Sequence, residues 1–388
     1  YLGFEINNNS SARFSGQFSE GTSRKDLNRK TTNLRMLPAV DSYQREYIRG
    51  DINNWEVGGD YEYKSARGDR FKILLISNSF TPERLRERWN LTGPYSESKN
   101  LFLDSASTTR ERIVRSSYTL DLFQGSQDIE LGAERAQTIL DSSLALGVLN
   151  PSGNASAAVG GLVPVNVPNA RSTVEEMRYE PFIIHNWVFN SRMSLESSVL
   201  YENSKISQRG QISKERNYDY VKPMLDFIYD LTPTIQLRGT MEKIVQQLSF
   251  NDFVAALDTR DEDRDVQFGN ENLKQEWYWN YEMNTEYRLP NDVGVISGRL
   301  YYEDWRDRIE RMDVTTNENF LLSANGNIGD GEKYGFEGRA SIRMRMIDLP
   351  NLLFTVSTTV EDSKIVDPIL ACLLYTSDAA DDRSSLDL

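Results

Sequence analysis

Histidine and cysteine are almost missing from this chain, with one of each in 388 residues. Thiol chemistry and histidine-ligated transition metals therefore have little to work with. Long apolar runs are missing too. No stretch approaches the roughly 18 consecutive apolar residues of a spanning helix, and the mean hydropathy is −0.55. A helical membrane protein is excluded. Positive charge is in deficit, at a net −14 and a pI of about 4.8. A nucleic-acid binder needs a basic face, so no nucleic-acid partner is expected. None of this excludes a membrane β-barrel, whose alternating strands and polar loops keep the average hydropathy low.

Aromatic residues are plentiful, with 19 Tyr, 16 Phe and 6 Trp. Their placement is most informative in Glu276–Leu289. The odd positions are Trp277, Trp279, Tyr281, Met283, Thr285, Tyr287 and Leu289. The even positions include Glu276, Asn280, Glu282, Asn284 and Glu286. Successive side chains of a strand point to opposite faces, so this segment has one greasy face and one wet face. Ten residue steps separate Trp277 from Tyr287, roughly 33 Å of strand at about 3.3 Å per residue. Tilted by about 40°, the strand rises about 25 Å, the height of the apolar band of an outer-membrane barrel. Soluble strands of about five or six residues seldom run so far.

The same alternation recurs along the chain. Trp55, Val57, Gly59, Tyr61 and Tyr63 oppose Glu56, Asp60, Glu62 and Lys64. Met193, Leu195, Ser197, Val199 and Tyr201 oppose Ser194, Glu196 and Glu202. Val221–Tyr229 and Ile235–Val245 flank Thr232-Pro233-Thr234. Tyr334, Phe336, Gly338, Ala340, Ile342 and Met344 oppose Lys333, Glu337, Arg339, Ser341, Arg343 and Arg345. Roughly fourteen strands are expected, more than one sandwich needs. Short connections (66–69, 125–128, 232–234, 290–292, 348–351) alternate with long ones (81–111, 141–173, 248–274, 307–332). A membrane barrel has this rule: tight periplasmic turns and long external loops. Charged residues of the polar face belong in a lumen, since a mid-plane arginine facing lipid costs about 2–4 kcal/mol.

The chain ends call for two expectations. It opens on strand-like Tyr1-Leu2-Gly3-Phe4-Glu5-Ile6, without Met or signal peptide; an outer-membrane protein carries such a leader, so part of the start is expected to be lost. Residues Cys372–Asp381 read CLLYTSDAAD. That string resembles the translation of a transposase mosaic-end adapter used in preparing sequencing libraries. Residues 372–388 are therefore expected to be non-native, with an Asp-rich natural tail as the alternative, and residues 1–371 to be the barrel part. On that reading the sole Cys372 is not the protein's own, and no disulfide framework is expected in this stretch.

Two motifs carry a family resemblance. One is Gly269-Asn270-Glu271-Asn272-Leu273-Lys274-Gln275-Glu276, followed by Trp279-Asn280-Tyr281-Glu282. The other is Asn325-Gly326-Asn327-Ile328-Gly329, followed by Tyr334-Gly335-Phe336-Glu337. In order and at this spacing they resemble the barrel of TonB-dependent outer-membrane receptors. The similarity is densest over 177–367. The resemblance implies an all-β, antiparallel transmembrane barrel of about 22 strands with a plugged lumen. It implies residence in the outer membrane of a Gram-negative bacterium, as a monomer in outer-membrane lipid. It implies uptake of a small ligand, of a kind not readable here, driven through contact with TonB. The plug domain and TonB box are expected to be absent from this chain, with about three strands missing before it and five after.

Candidate sites follow from the faces. Glu282, Glu286, Arg299, Glu337, Arg339 and Arg343 are lumen and ligand-path candidates, with plug contact and lumen solvation as the blander reading. Trp277, Trp279, Tyr287 and Tyr334 are membrane-interface aromatics. No catalytic residue, cofactor or metal is expected. The acidic run Asp258–Asp265 reads as a solvated loop; a calcium loop of EF-hand type needs Gly where Val266 stands. Gly326-x-x-Gly329-x-Gly331 lacks the strand-to-helix context of a phosphate loop. His185 lies near an expected periplasmic turn, away from where a barrel hydrolase would place its base. A receptor is the leading expectation; a passive porin-like channel and an outer-membrane hydrolase are the alternatives.

Overall fold

A computed structural model describes residues 2–34, 38–92, 96–211, 213–257, 266–267, 269–313, 323–345, 349, 351–366 and 373–375. The strands are β1 (Leu2–Asn7), β2 (Ser10–Asn33), β3 (Val40–Lys64), β4 (Arg70–Leu91), β5 (Glu97–Leu122) and β6 (Gln127–Val148). Then come β7 (Val163–Val165), β8 (Arg171–Asn190), β9 (Met193–Gly210), β10 (Lys214–Thr232), β11 (Ile235–Val245), β12 (Ala256–Leu257) and β13 (Val266–Gln267). The last are β14 (Trp277–Arg288), β15 (Gly294–Asp313), β16 (Ser323–Arg343), β17 (Leu353–Val366) and β18 (Leu373–Tyr375). Fifteen of them form one meandering antiparallel sheet in chain order, with β7 pairing off the path on β6 and β12 pairing only β13. Among the described residues β1 and β18 do not pair, so the sheet is an unclosed part of a barrel.

Register carries the two faces from strand to strand. Met283 stands opposite Gly239 and Leu300, Leu300 opposite Phe336, and Phe336 opposite Val360. That row is apolar and exposed. One residue along, Glu282 stands opposite Tyr301, Tyr301 opposite Gly335, and Gly335 opposite Glu361. A one-residue slip would put carboxylates in lipid, so the apolar face pins the register.

Turns at one end are tight, as at Thr232–Ile235 and Asn190–Met193. At the β3–β4 turn, Gly68 has φ +98° and a Cβ there would meet Asp121 Oδ2 at 2.6 Å. Only glycine suits that position.

The other end departs from the sequence reading. Residues 81–111 were expected as one long loop, yet β4 runs on to Leu91 and β5 starts at Glu97. Likewise β6 runs to Val148, β15 to Asp313, and β16 begins at Ser323. Strict alternation of connection lengths also fails, because β9 and β10 are joined by residues 211–213 alone. Above the membrane both faces meet water, so the apolar rhythm stops while the hydrogen-bonded ladder continues. Charge pairs hold these extensions: Arg45 grips Glu97 at 2.7 and 3.1 Å, Lys99 meets Glu87 at 2.6 Å, and Arg86 meets Glu46.

Two connections at this end fold inward and make the only sizeable apolar clusters among the described residues. Leu248, Phe253, Val254 and Leu273 of the β11–β14 connection pack on Leu140, Val174 and Ile206 of the wall. Val167 and Ala255 pack on Leu103 and Leu144. Acidic residues 258–265, residue Cys372 and residues 376–388 lie outside the described residues. Within the carboxy-terminal stretch, Leu373–Tyr375 pair with Lys364–Val366.

Candidate functional site: the lumenal wall and its clasped loop

The two sequence motifs, about fifty residues apart, meet in space. Asn270 Nδ2 donates to the Asn325 carbonyl at 2.9 Å, and Asn325 Nδ2 donates to Asp252 Oδ1 at 2.8 Å. Asn327 Oδ1 accepts from the Lys274 amide at 2.9 Å. Its Nδ2 donates to the carbonyls of Lys274 and Asp307 at 3.0 and 2.7 Å. Leu273 is fully buried, and its carbonyl accepts from Arg216 Nη1 at 2.6 Å and the Tyr218 hydroxyl at 2.9 Å. At Gly269 a Cβ would lie 2.3 Å from the Phe253 carbonyl oxygen. Glycine is there because two backbones touch.

Glu276 ends the loop just above the strand entry. Its Oε2 accepts from the Ile309 amide at 2.6 Å, and Arg308 lies 3.5 Å from its Oε1. Burial pushes its carboxyl above the usual range, with the Ile309 amide opposing.

Below the clasp, the wall carries a ladder of buried and half-buried ions. Glu202 is fully buried, with Lys222 Nζ at 2.9 Å, Gln247 Nε2 at 3.2 Å and Gln275 Nε2 at 3.3 Å. Lys222 also holds Glu180, which stands opposite Glu134. Arg178 and Arg115 reach Glu134 at 3.2 and 3.7 Å. A small cleft of about 250 Å³, walled by Glu111, Glu176, Arg178 and Gln247 and by apolar Leu140, Leu248 and Phe250, opens beside the ladder.

The sequence-derived lumen candidates divide into three groups. Arg299 joins two of them, reaching Glu337 Oε1 at 2.9 Å and Glu282 Oε1. Glu286 accepts from Arg288 Nε on its own strand at 2.8 Å. Arg339 lines a polar groove of about 480 Å³ with Glu286, Glu337 and Arg238. Arg343 lies apart, at the tight-turn end of β16 opposite Leu353.

Next to the Arg299 group, Tyr301 lays its ring across Gly335, where a Cβ would come within 2.6 Å of the phenolic oxygen. Its hydroxyl reaches Glu361 at 2.6 Å. The glycine of the Tyr-Gly-Phe-Glu stretch is thus the gap that this ring fills.

The aromatic candidates lie on the opposite, apolar face. Trp277 sits 4.0 Å from Lys243 Nζ, Trp279 stacks on Tyr281, and Tyr287 stands between Ile235 and Ile296. Tyr334 donates to Asp362 Oδ2 at 2.8 Å. His185 accepts from or donates to Gln127 at 3.2 Å, near the tight-turn end of β8. Gly326, Gly329 and Gly331 lie within β16. Among the described residues no group of three or more His, Cys, Asp or Glu is placed to hold a metal ion.

Sequence reading missed Glu134, Glu180, Lys222 and Gln275. The lumenal phase of the first three was legible from their strands, and Gln275 stood only within a motif; nothing local marks them as partners.

The family model for the TonB-dependent receptor-like β-barrel matches residues 2–383. Among solved structures, the unliganded ferric citrate transporter FecA matches with a TM-score of 0.55 at 13% identity, covering 94% of this chain and 56% of that one. The pyoverdine receptor FpvA of Pseudomonas aeruginosa PAO1, bound to pyoverdine, gives 0.55 at 10% identity, covering 98% and 59%. The copper transporter OprC gives 0.52 at 11% identity, covering 96% and 58%. The chain thus spans less than two thirds of the length of these structures. No curated protein matches it.

Proposed function

The chain belongs to the TonB-dependent receptor family of outer-membrane β-barrels of Gram-negative bacteria, and from that premise we propose that it is most of the barrel wall of an energy-coupled uptake receptor for a scarce small ligand. The observation that carries the reading is the clasped loop. A described connection leaves the rim, packs into the lumen and is tied there by Asn270, Asn325 and Asn327. A lumen narrowed by bonded backbone suits a gated path better than a free diffusion pore.

Glu282, Glu286, Arg299, Glu337 and Arg339 form the lower part of the ligand path in this reading, with Arg343 at its exit. The buried ladder around Glu202 and Lys222 gives the wall its charged lining. The partners are outer-membrane lipid, a plug domain supplied by the rest of the protein, TonB, and the ligand. The receptor works as a monomer and is not an enzyme. Residues 372–388 are read as adapter-derived; sequencing of unamplified genomic DNA that recovers them in frame would remove that reading.

The test of function uses the full-length gene product. In planar bilayers it should show no large stable conductance, and ligand-dependent growth should vanish when TonB is deleted. A large, permanently open pore would establish the passive-channel reading instead.

A further inference from the structure

On the outward face of β5 and β6 three arginines stand together. Val114 pairs with Arg135 and Arg135 with Tyr179; one pair higher, Arg112 stands opposite Gln137; next, Arg110 stands opposite Ile139. All three arginines are exposed. Their height is readable from the tight turn. At about 2.5 Å of rise per tilted residue, Arg135 lies about 20 Å above the Gln127 end and Arg112 about 25 Å above the Leu122 end. The rim tyrosine Tyr201 of β9 lies about 20 Å above Met193 on the same measure. The cluster therefore sits at the outer boundary of the apolar band, where an arginine carries little of the mid-plane penalty.

Two of the three have no carboxylate paired with them among the described residues. Arg110 is paired with Asp141. Arg135 lies 6.0 Å from the Tyr179 ring, and the nearby Glu175 accepts from Gln137 at 2.8 Å. Elsewhere the outer rim carries carboxylates, with Asp219, Glu332 and Asp362 accepting from Tyr201, Tyr302 and Tyr334, beside two other cations, Lys205 paired with Glu215 and Lys243 lying over the Trp277 ring. Beside Arg135 the face is apolar and exposed at Val114, and below it at Leu131 and Ile183. Cations above and bare apolar surface below match a lipid that carries phosphate above its acyl chains.

We propose that this face binds a phosphorylated glycolipid of the outer leaflet, its phosphate against Arg112 and Arg135 and its acyl chains along Val114, Leu131 and Ile183. The proposal rests on the outer-membrane location and is independent of the transport reading.

The test is native mass spectrometry of the full-length receptor in detergent, titrated with bis-phosphorylated lipid A, with the same lipid dephosphorylated, and with inorganic phosphate. Binding is counted per folded barrel, judged by heat-modifiable gel mobility. A cation near an anionic lipid is worth about a factor of five, so Arg112→Ala with Arg135→Ala should weaken the phosphorylated lipid about 30-fold. The two Lys replacements should retain most of the binding, and dephosphorylated lipid should not respond to either pair. If the alanine pair does not fold, Arg112→Gln alone decides, with about a fivefold loss expected. Unchanged binding in these variants, or inorganic phosphate bound as tightly as the lipid, would overturn the proposal.

Discussion

The side-chain amide of Asn270 lies 2.9 Å from the carbonyl oxygen of Asn325, joining two motifs that the chain separates by fifty-five positions. Their asparagines act as hydrogen-bonding clips for backbone that has left the sheet. Buried backbone needs partners, and an amide side chain offers both a donor and an acceptor. The motifs are thus one structural device, written in two places.

Asn327 is the most connected clip, with three hydrogen bonds to two segments. Replacing it by Ala should loosen residues 269–276 by about 0.5–1.5 kcal/mol, the net worth of hydrogen bonds that water can partly replace. Hydrogen exchange of those amides is the measurement. Unaltered protection would show that Leu273 packing alone holds the loop.

Glycines make a paired test. Gly269→Ala drives a Cβ into the Phe253 carbonyl, whereas a Cβ at Gly239 meets nothing within 4 Å. Gly269→Ala should cost about 1–3 kcal/mol. Gly239→Ala should stay within about 0.5 kcal/mol, or stabilise slightly through backbone entropy. Denaturant unfolding in lipid would separate them.

The buried ladder predicts an asymmetry. Lys222→Met leaves Glu180 and Glu202 facing each other without their shared cation. The loss should be about 3–5 kcal/mol. Adding Glu202→Gln should restore part of it, since one uncompensated charge is removed. A double-mutant cycle on unfolding free energy measures the coupling.

Facing is testable by charge. Met283 lies on the lipid face, opposite Leu300, and Gln236 lies on the lumen face, opposite Glu286. Met283→Arg should destabilise the membrane-inserted barrel by about 2–4 kcal/mol. Gln236→Arg should change it by less than about 0.5 kcal/mol.

Acid should tighten the clasped loop. Glu276 has a carboxyl raised above its usual value by burial. Its protonated form is therefore favoured in the folded state. The stability it contributes is full below its unfolded value and is lost as pH rises through the raised folded value. Protection of residues 269–276 should fall over that window in the native protein and stay flat in Glu276→Gln.

What could be read early was set by local rules. In Glu276–Leu289 each residue's face follows from its parity, because a strand repeats every two residues. Glu282, Glu337, Trp279 and Tyr334 take their faces on that ground alone. The stretch 81–111 failed for the complementary reason. Its strands leave the membrane, so nothing in the side chains keeps time, and only pairing with neighbours reveals them.

The sequence by itself determined the antiparallel strands, their two faces and the family, since alternation, turn chemistry and motif order are all written along the chain. Tertiary structure alone decided that Asn270 meets Asn325, that Lys222 sits between Glu180 and Glu202, and that the β11–β14 connection lies inside the lumen. Those contacts depend on register across several strands and on where a loop comes to rest. Both are settled by packing between residues far apart in the chain, which no local pattern encodes.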